Sequence, residues 1–494
     1  MPTIQVPSRR TVLVGLGAPL VLAQADAGAQ TGGATAPSGP AAPVAPGRPL
    51  LIRGATILSM DPQVGTLDAG DILVRDGRIA AVGRRIEGAD AQVVEGAGRI
   101  ALPGFVNSHI HLAQAILRGL AGDATLDEYF KRIVARYTRH LLPEDLAASN
   151  YAGALEQLSA GTTTIFDWSR EALTAAHADA IVDAAERSGI RAFFGYGVTG
   201  PGQGGGAVRA DVERLRRGRL SSDDGRVRLA LALRGPDSSP MAEAEDDFRF
   251  ARELGLLHQF HVGVLLYSQR QRRGVAQLAE KGLIGPGAIL VHANDLDPDE
   301  YRITAEKGAA ISVTPEVEMM MGHGQPATGR ALQAGHRPAL GVDVVTGVGG
   351  DMFSQMRTAL SAQRLADNLA AAAASKPLAT VSLNTRQVLE AATIDGARAL
   401  GIDGQVGSLA PGKRADLILL KADELATAPM RDPVGTVVLQ ATPASVETVL
   451  VDGETVKAGG RLIGRDPARA VAELLERARQ LDARVAAAAA RAPG

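Results

Sequence analysis

Two histidines, His109 and His111, stand one residue apart in PGFVNSHIHL, after a Pro-Gly and a short apolar run. On an extended strand, positions i and i+2 point to the same face. Two imidazoles at one strand end form a metal-ligand geometry. The chain has nine histidines in 494 residues and no cysteine. Disulfides, thiolate zinc sites and thiol nucleophiles are therefore excluded together, and any metal must be held by His, Asp or Glu. Other polar residues fall where further β-like runs end: Asp167 and Trp168, Arg234, His261, His292 and Asn294, Glu316 and Glu318, and Asp343. Taken singly, each has a blander reading as a hydrogen-bonded core residue, a helix cap or a turn. Brought to one rim, three neutral imidazoles and a carboxylate suit Zn²⁺ or Fe²⁺, with a coordination position left for water.

The elements that must position them alternate along the middle of the chain. Eight strand candidates are FVNSHIHL, TTTIFDWS, RAFFGYGV, VRLALALRGP, QFHVGVLL, AILVHAND, AAISVTPE and ALGVDVVT, separated by amphipathic stretches such as ADAIVDAAERSG. Eight β/α units in about 290 residues have the count and size of a closed parallel barrel, whose active site lies at the C-terminal strand ends. A doubly wound open sheet is the rival architecture. Short β-branched runs with Gly and Asp-Gly turns precede the barrel and return after it, and such segments can pair into one small domain. The expected organisation is an α/β chain with a (β/α)8 barrel over residues 105–403 and a composite β-sandwich from residues 50–104 and 404–465. A C-terminal amphipathic helix is expected in residues 466–494.

Composition narrows the partners. Net charge is −2, and aromatics make up 3% of the chain with one tryptophan, so a nucleic-acid surface is not expected. At the N-terminus, Arg9 and Arg10 precede an apolar run and then Ala25, Ala27 and Ala29. That pattern reads as a signal peptide of the twin-arginine type over residues 1–29. Residues 30–49, rich in Gly, Ala and Pro, read as a flexible linker. The expectation is a periplasmic or secreted protein with no membrane span after cleavage and a small-molecule substrate; a homo-oligomer stays open.

PGFVNSHIHL, with LLIRGATIL upstream and SAGTTTIFD, LVHANDLDPDE, LGVD and GSLAPGKRADLILL downstream, resembles the amidohydrolase superfamily. The likeness is to its cytosine-deaminase-like and atrazine-chlorohydrolase-like metal hydrolases. It implies a metal-dependent barrel in which His109, His111 and His261 are metal ligands with Asp343. His292 then matches a histidine that contacts the attacking water or the substrate. Members with two metals bridge them with a carboxylated lysine. Here the lysines between Gly104 and Glu300 are Lys131 and Lys281, neither on an expected strand, so one divalent ion is expected, zinc before iron.

One departure stands out. Deaminases of this branch usually carry H-x-x-E after the fifth strand, and the glutamate protonates the ring nitrogen of the substrate. This chain has HVGV, with Val264 in that place. Glu316 and Glu318, in TPEVEMMMGHG, are candidate substitutes on the pocket wall, and His323, Arg234 and Trp168 are further candidate substrate contacts. In the expected chemistry a divalent metal lowers the pKa of its water from about 16 toward about 7. Asp343 takes the water's proton and returns it to the leaving group, and His292 stabilises the oxyanion. Deamination of an N-heterocycle is the first reading. Amide or cyclic-amide hydrolysis is the second, favoured by the missing glutamate. Dechlorination and an inactive binding protein are the remaining alternatives.

Overall fold

A computed structural model of the protein describes residues 48–88, 90–198, 206–264 and 273–491. The signal-peptide expectation and nearly all of the linker lie outside the described residues.

Eight strands form one parallel sheet in sequential order: Phe105–Ile110, Thr162–Ser169, Arg191–Gly197, Val227–Leu233, His258–Val262, Ala288–His292, Ala310–Val313 and Ala339–Leu340. All eight expected strands are present. The eighth is only two residues long, and the ring closes just beyond it. Ile110 and Asp343 form a parallel bridge, with the N–H groups of Val342 and Asp343 donating to the His109 carbonyl at 3.0 and 2.9 Å. The strands read as nearly continuous apolar runs because both faces are covered. Inward residues such as Val106, Phe166, Phe193, Ala230 and Ile289 pack together with Ala397 and Leu400. Their outward neighbours, including Ile165, Phe194, Leu229, Leu231 and Leu290, pack into the larger core with residues of the surrounding helices.

The flanking strands form a separate mixed sheet of nine strands drawn from both ends of the chain. Strand Arg99–Pro103 pairs antiparallel with Leu417–Lys421, Pro103 lying opposite Leu417. Ile52, Ile57, Ile72, Leu417, Leu419 and Leu450 form its buried face. Arg191, at the start of the third barrel strand and fully buried, ties the two sheets together. Its Nε and Nη2 donate to Asp416 at 2.9 and 3.0 Å, and Nη2 also donates to Asp452 at 2.6 Å. The bonds form a planar fork that a lysine could not reproduce.

The last helix, Pro467–Arg491, buries Ala470, Leu481 and Val485 on one side. Among the described residues, no helix is long and apolar enough to cross a membrane.

Candidate metal centre

Strand one brings His109 and His111 to the rim, although not as a simple alternation. The strand ends at Ile110, and its pairing with strand two shifts register between Asn107 and Ile110. Such irregularities re-aim side chains beside active sites. His109 is completely buried. Its Nδ1 meets Gln259 Oε1 at 2.8 Å, and Gln259 Nε2 donates to the Ser108 carbonyl at 2.6 Å. The amide orientation makes Nδ1 the protonated nitrogen, so the lone pair of Nε2 faces the barrel axis.

Four side chains converge there. Asp343 Oδ1 lies 3.4 Å from His109 Nε2 and 3.3 Å from His111 Nε2. His261 Nε2 lies 3.3 Å from His109 Nε2. The ligand atoms of His109, His111, His261 and Asp343 all fall within 4.8 Å of one another. A tetrahedral site with metal–ligand bonds of about 2.1 Å has edges of about 3.4 Å, so the separations fit one small divalent ion. The electrostatics agree. Burial lowers the pKa of His111 to about 4 and holds His261 well below the usual histidine range, so both rings are neutral and offer lone pairs near pH 7. Burial pushes Asp343 up, but the neighbouring His109 and His111 outweigh it and hold its carboxyl well below the ordinary range. Neutral rings at His111 and His261 and an ionised Asp343 are the states that metal binding requires.

His292 ends strand six. Its Nε2 is 3.8 Å from Asp343 Oδ2, on the oxygen not shared with His109 and His111. On its far side Nδ1 lies 3.1 Å from Thr314 Oγ1 and 3.3 Å from Glu318 Oε1. These partners assign the proton to Nδ1 and leave Nε2 as an acceptor toward the cavity. His292 and Asp343 both have positive φ, 75° and 68°, a strained region for residues other than glycine that concentrates at functional sites.

Above the cluster is a cavity of about 290 Å³ whose walls include Leu126, Tyr129, Trp168, Leu233, Asp237 and Val264. The chain matches the Amidohydrolase family over residues 100–456. The chain belongs to the amidohydrolase family. It is a metal-binding hydrolase of carbon–nitrogen bonds other than peptide bonds. Similar proteins include a 5-methylthioadenosine/S-adenosylhomocysteine deaminase from Desulforamulus reducens, 26% identical over 87% of this chain and 99% of the relative. A 5′-deoxyadenosine deaminase from Methanothermobacter thermautotrophicus is 29% identical over 84% of this chain and 94% of that protein. Among solved structures, an adenosine deaminase from Xanthomonas campestris with bound zinc superposes with a TM-score of 0.77 at 27% identity, covering 89% of this chain and 98% of the other. Atrazine chlorohydrolase from Arthrobacter aurescens TC1, at 24% identity and a TM-score of 0.77 over 87% of this chain and 100% of that one, shares the fold.

In this amidohydrolase, Trp168 and His323 stand on the cavity wall. The Trp168 ring packs 4.1 Å from that of His261. His323 is buried against His292, and among the described residues neither of its ring nitrogens has a hydrogen-bond partner.

Of the other expected substrate contacts, Arg234 lines the cavity, whereas Glu316 and Glu318 are not on its wall. Strand seven stops at Val313, and Glu316 and Glu318 lie on the short helix Pro315–Met321, with Pro315 in the first helical position. Glu316 turns away and accepts from Ser354 Oγ and Gln355 Nε2 at 3.1 and 2.7 Å. Glu318 stands behind His292, outside the cavity wall, and accepts from the Thr314 N–H at 2.8 Å. Arg234 reaches the cavity wall, but its guanidinium is engaged by Asp247 at 2.8 and 3.0 Å and by Glu243.

Sequence reasoning missed Gln259, Tyr129 and Asp237. Gln259 was detectable, lying two residues before His261 and hence on the same strand face. Asp237, in the turn GPDSSP, gave no signal beyond that of an ordinary turn residue.

Proposed function

We propose that this protein is an aminohydrolase of small N-heterocycles, with zinc as its metal and 5′-modified adenosines as the first substrates to test. The observation that carries the reading is the four-ligand cluster, with His292 beside it, lying under a largely apolar cavity. The kinship with nucleoside deaminases supports the substrate class. His109, His111, His261 and Asp343 would hold the ion, which when bound supplies a nucleophilic hydroxide at neutral pH.

The chain's own groups do the rest. Asp343 Oδ2, the oxygen turned away from His109 and His111, accepts the proton released by the attacking water and returns it to the leaving nitrogen. His292 Nε2, a lone-pair acceptor 3.8 Å from that oxygen, orients the water between them. It faces the developing oxyanion as a donor only after taking up a proton. Trp168 and Tyr129 exclude solvent around a planar ring, and His323 offers an unfilled hydrogen bond to it. Val264, apolar where related deaminases place an acid, favours a second reading: hydrolysis of an amide or cyclic amide, for which Asp343 suffices.

The deciding experiment incubates zinc-loaded protein with 5′-deoxyadenosine, 5-methylthioadenosine, cytosine and a set of cyclic amides, and identifies the products. Ammonia release with the ring intact supports deamination. Ring opening without ammonia supports the second reading. Neither product from metal-replete protein overturns both.

We further propose export through the twin-arginine route, resting on Arg9, Arg10 and the apolar run after them. Replacement of both arginines by lysine should retain the protein in the cytoplasm, and undiminished export overturns this route.

A further inference from the structure

Among the described residues, the cavity holds one carboxylate that neither the metal cluster nor the steps above employ. Asp237 follows the fourth barrel strand and lines the cavity together with His261 and Val264. It is largely buried, and among the described residues it forms no ion pair, in contrast to nearby Asp247, which is committed to Arg234. Its Oδ2 accepts the N–H of Gly263 at 2.7 Å, and the carboxylate also accepts from the backbone of Val264. Gly263 has φ of 69°, and a Cβ there would come within 3.1 Å of the Ala293 backbone. The turn that presents these N–H groups to Asp237 is thus one that glycine makes without strain.

The location matters more than the burial. Gly263 and Val264 are the second and third residues after His261, and Val264 is the position at which related deaminases carry their proton-donating glutamate. In this chain the acid is absent from that segment, yet a carboxylate from the neighbouring loop is pinned to its backbone. Burial, with the like charges of Glu300 and Asp295, pushes Asp237 up to about 6 despite the two backbone bonds. Among the described residues, the other ionisable groups on the same cavity wall are Arg170, Arg234, His111, His261, His292, His323, Tyr129 and Asp343.

We propose that Asp237 is the acid that protonates the substrate's ring nitrogen, standing in for the glutamate displaced by Val264. The proposal rests on the deaminase reading above. As water adds to the amino-bearing carbon, one of its protons passes to Asp343, and the C=N π pair takes the Asp237 proton to give a ring N–H. Collapse forms the carbonyl and breaks the exocyclic C–N bond. The amine takes the proton held by Asp343 and leaves as ammonia, and the proton of the new hydroxyl restores Asp237. The ring N–H stays in the product, and no external oxidant or acid is consumed. For a ring substrate this supplies the second donor that Asp343 alone cannot.

The test uses the zinc-loaded protein, its D237N and D237E variants, 5′-deoxyadenosine as substrate and purine riboside as a ligand with the ring nitrogen but no leaving group. The amide oxygen introduced by D237N can still accept from Gly263, so the fold and zinc content should hold, checked by thermal melting and metal analysis. D237N should lower kcat/KM by about 10²–10⁴-fold, the usual range for a lost general acid, and D237E should recover most of it. Purine riboside should bind the wild type at least tenfold more tightly than D237N. Wild-type kcat/KM should fall at high pH as the acid ionises, and D237N should lack that limb. Wild-type ammonia release matched within threefold by D237N, with equal riboside affinity, overturns the role of Asp237 and leaves the deaminase reading intact. If the metal-replete wild type neither releases ammonia from 5′-deoxyadenosine, 5-methylthioadenosine or cytosine nor binds riboside, the deaminase reading falls and the proposal with it.

Discussion

Glu318 Oε1 lies 3.3 Å from His292 Nδ1, while the opposite nitrogen of the same ring faces Asp343. The glutamate therefore acts on the cavity through the imidazole. Thr314 Oγ1 and Asn294 Nδ2 complete its shell at 3.3 and 3.2 Å, and burial raises its carboxyl to about 7. Glu318→Gln keeps the shape but offers an amide where the ring now meets a carboxyl. Turnover should fall about 10–100-fold, the scale seen when a partner of a site histidine is lost, with zinc content unchanged. A fall beyond about 10³-fold would show that Glu318 itself transfers a proton to substrate.

Gln259 should matter for metal rather than for turnover. Gln259→Leu removes the acceptor at His109 Nδ1 and leaves the ring free to choose the wrong tautomer. Zinc affinity should weaken by about 10–100-fold, measured by competition with a chelator. Saturating zinc should restore most of the activity.

His109→Ala removes a ligand from a barrel whose stability resides in its apolar layers. Zinc and activity should vanish together while circular dichroism stays that of the wild type. Chelation of the wild type should lower its melting temperature, because an ion that binds only the folded state stabilises it by about 2.7 kcal/mol at a hundredfold excess over Kd. The same chelator should barely move the melting temperature of the variant.

Acid should open the junction between the two sheets. Asp452 is pushed up by burial, but Arg191, Arg414 and Arg226 outweigh this and lower its pKa to about 2. A depressed carboxyl contributes stability above its unfolded pKa, near 4, and loses it as pH falls toward 2. Melting temperature should drop through that window. Arg191→Met should destabilise the protein by about 3–5 kcal/mol at neutral pH, since it leaves buried carboxylates unpaired, and should flatten the acid dependence.

Much of this was legible in the sequence because of two periodicities. Strands buried on both faces gave eight continuous apolar runs, and the spacing of His109 and His111 put two ligands at one strand end. His261, His292 and Asp343 were readable from the resemblance, since their partners lie up to hundreds of residues away and no local pattern reports that proximity. The segment after strand seven was misjudged because TPEVEMMM is too short for a helical period to show. Its Pro315 is a residue favoured in the first turn of a helix, and the helix begins there. Asp237 was invisible for a different reason: its importance depends on a backbone N–H of another loop, which no side-chain pattern encodes.

The pairing of Arg99–Pro103 with Leu417–Lys421 also sets a timetable. About 300 residues separate the two partners, and synthesis at about 5–20 residues per second takes about 15–60 s to cover them. Throughout that interval the edge made first has no partner to hydrogen-bond. That edge of the strand leading into the barrel is covered only after most of the chain has emerged, so the sheet that joins the two ends of the protein is completed late in translation.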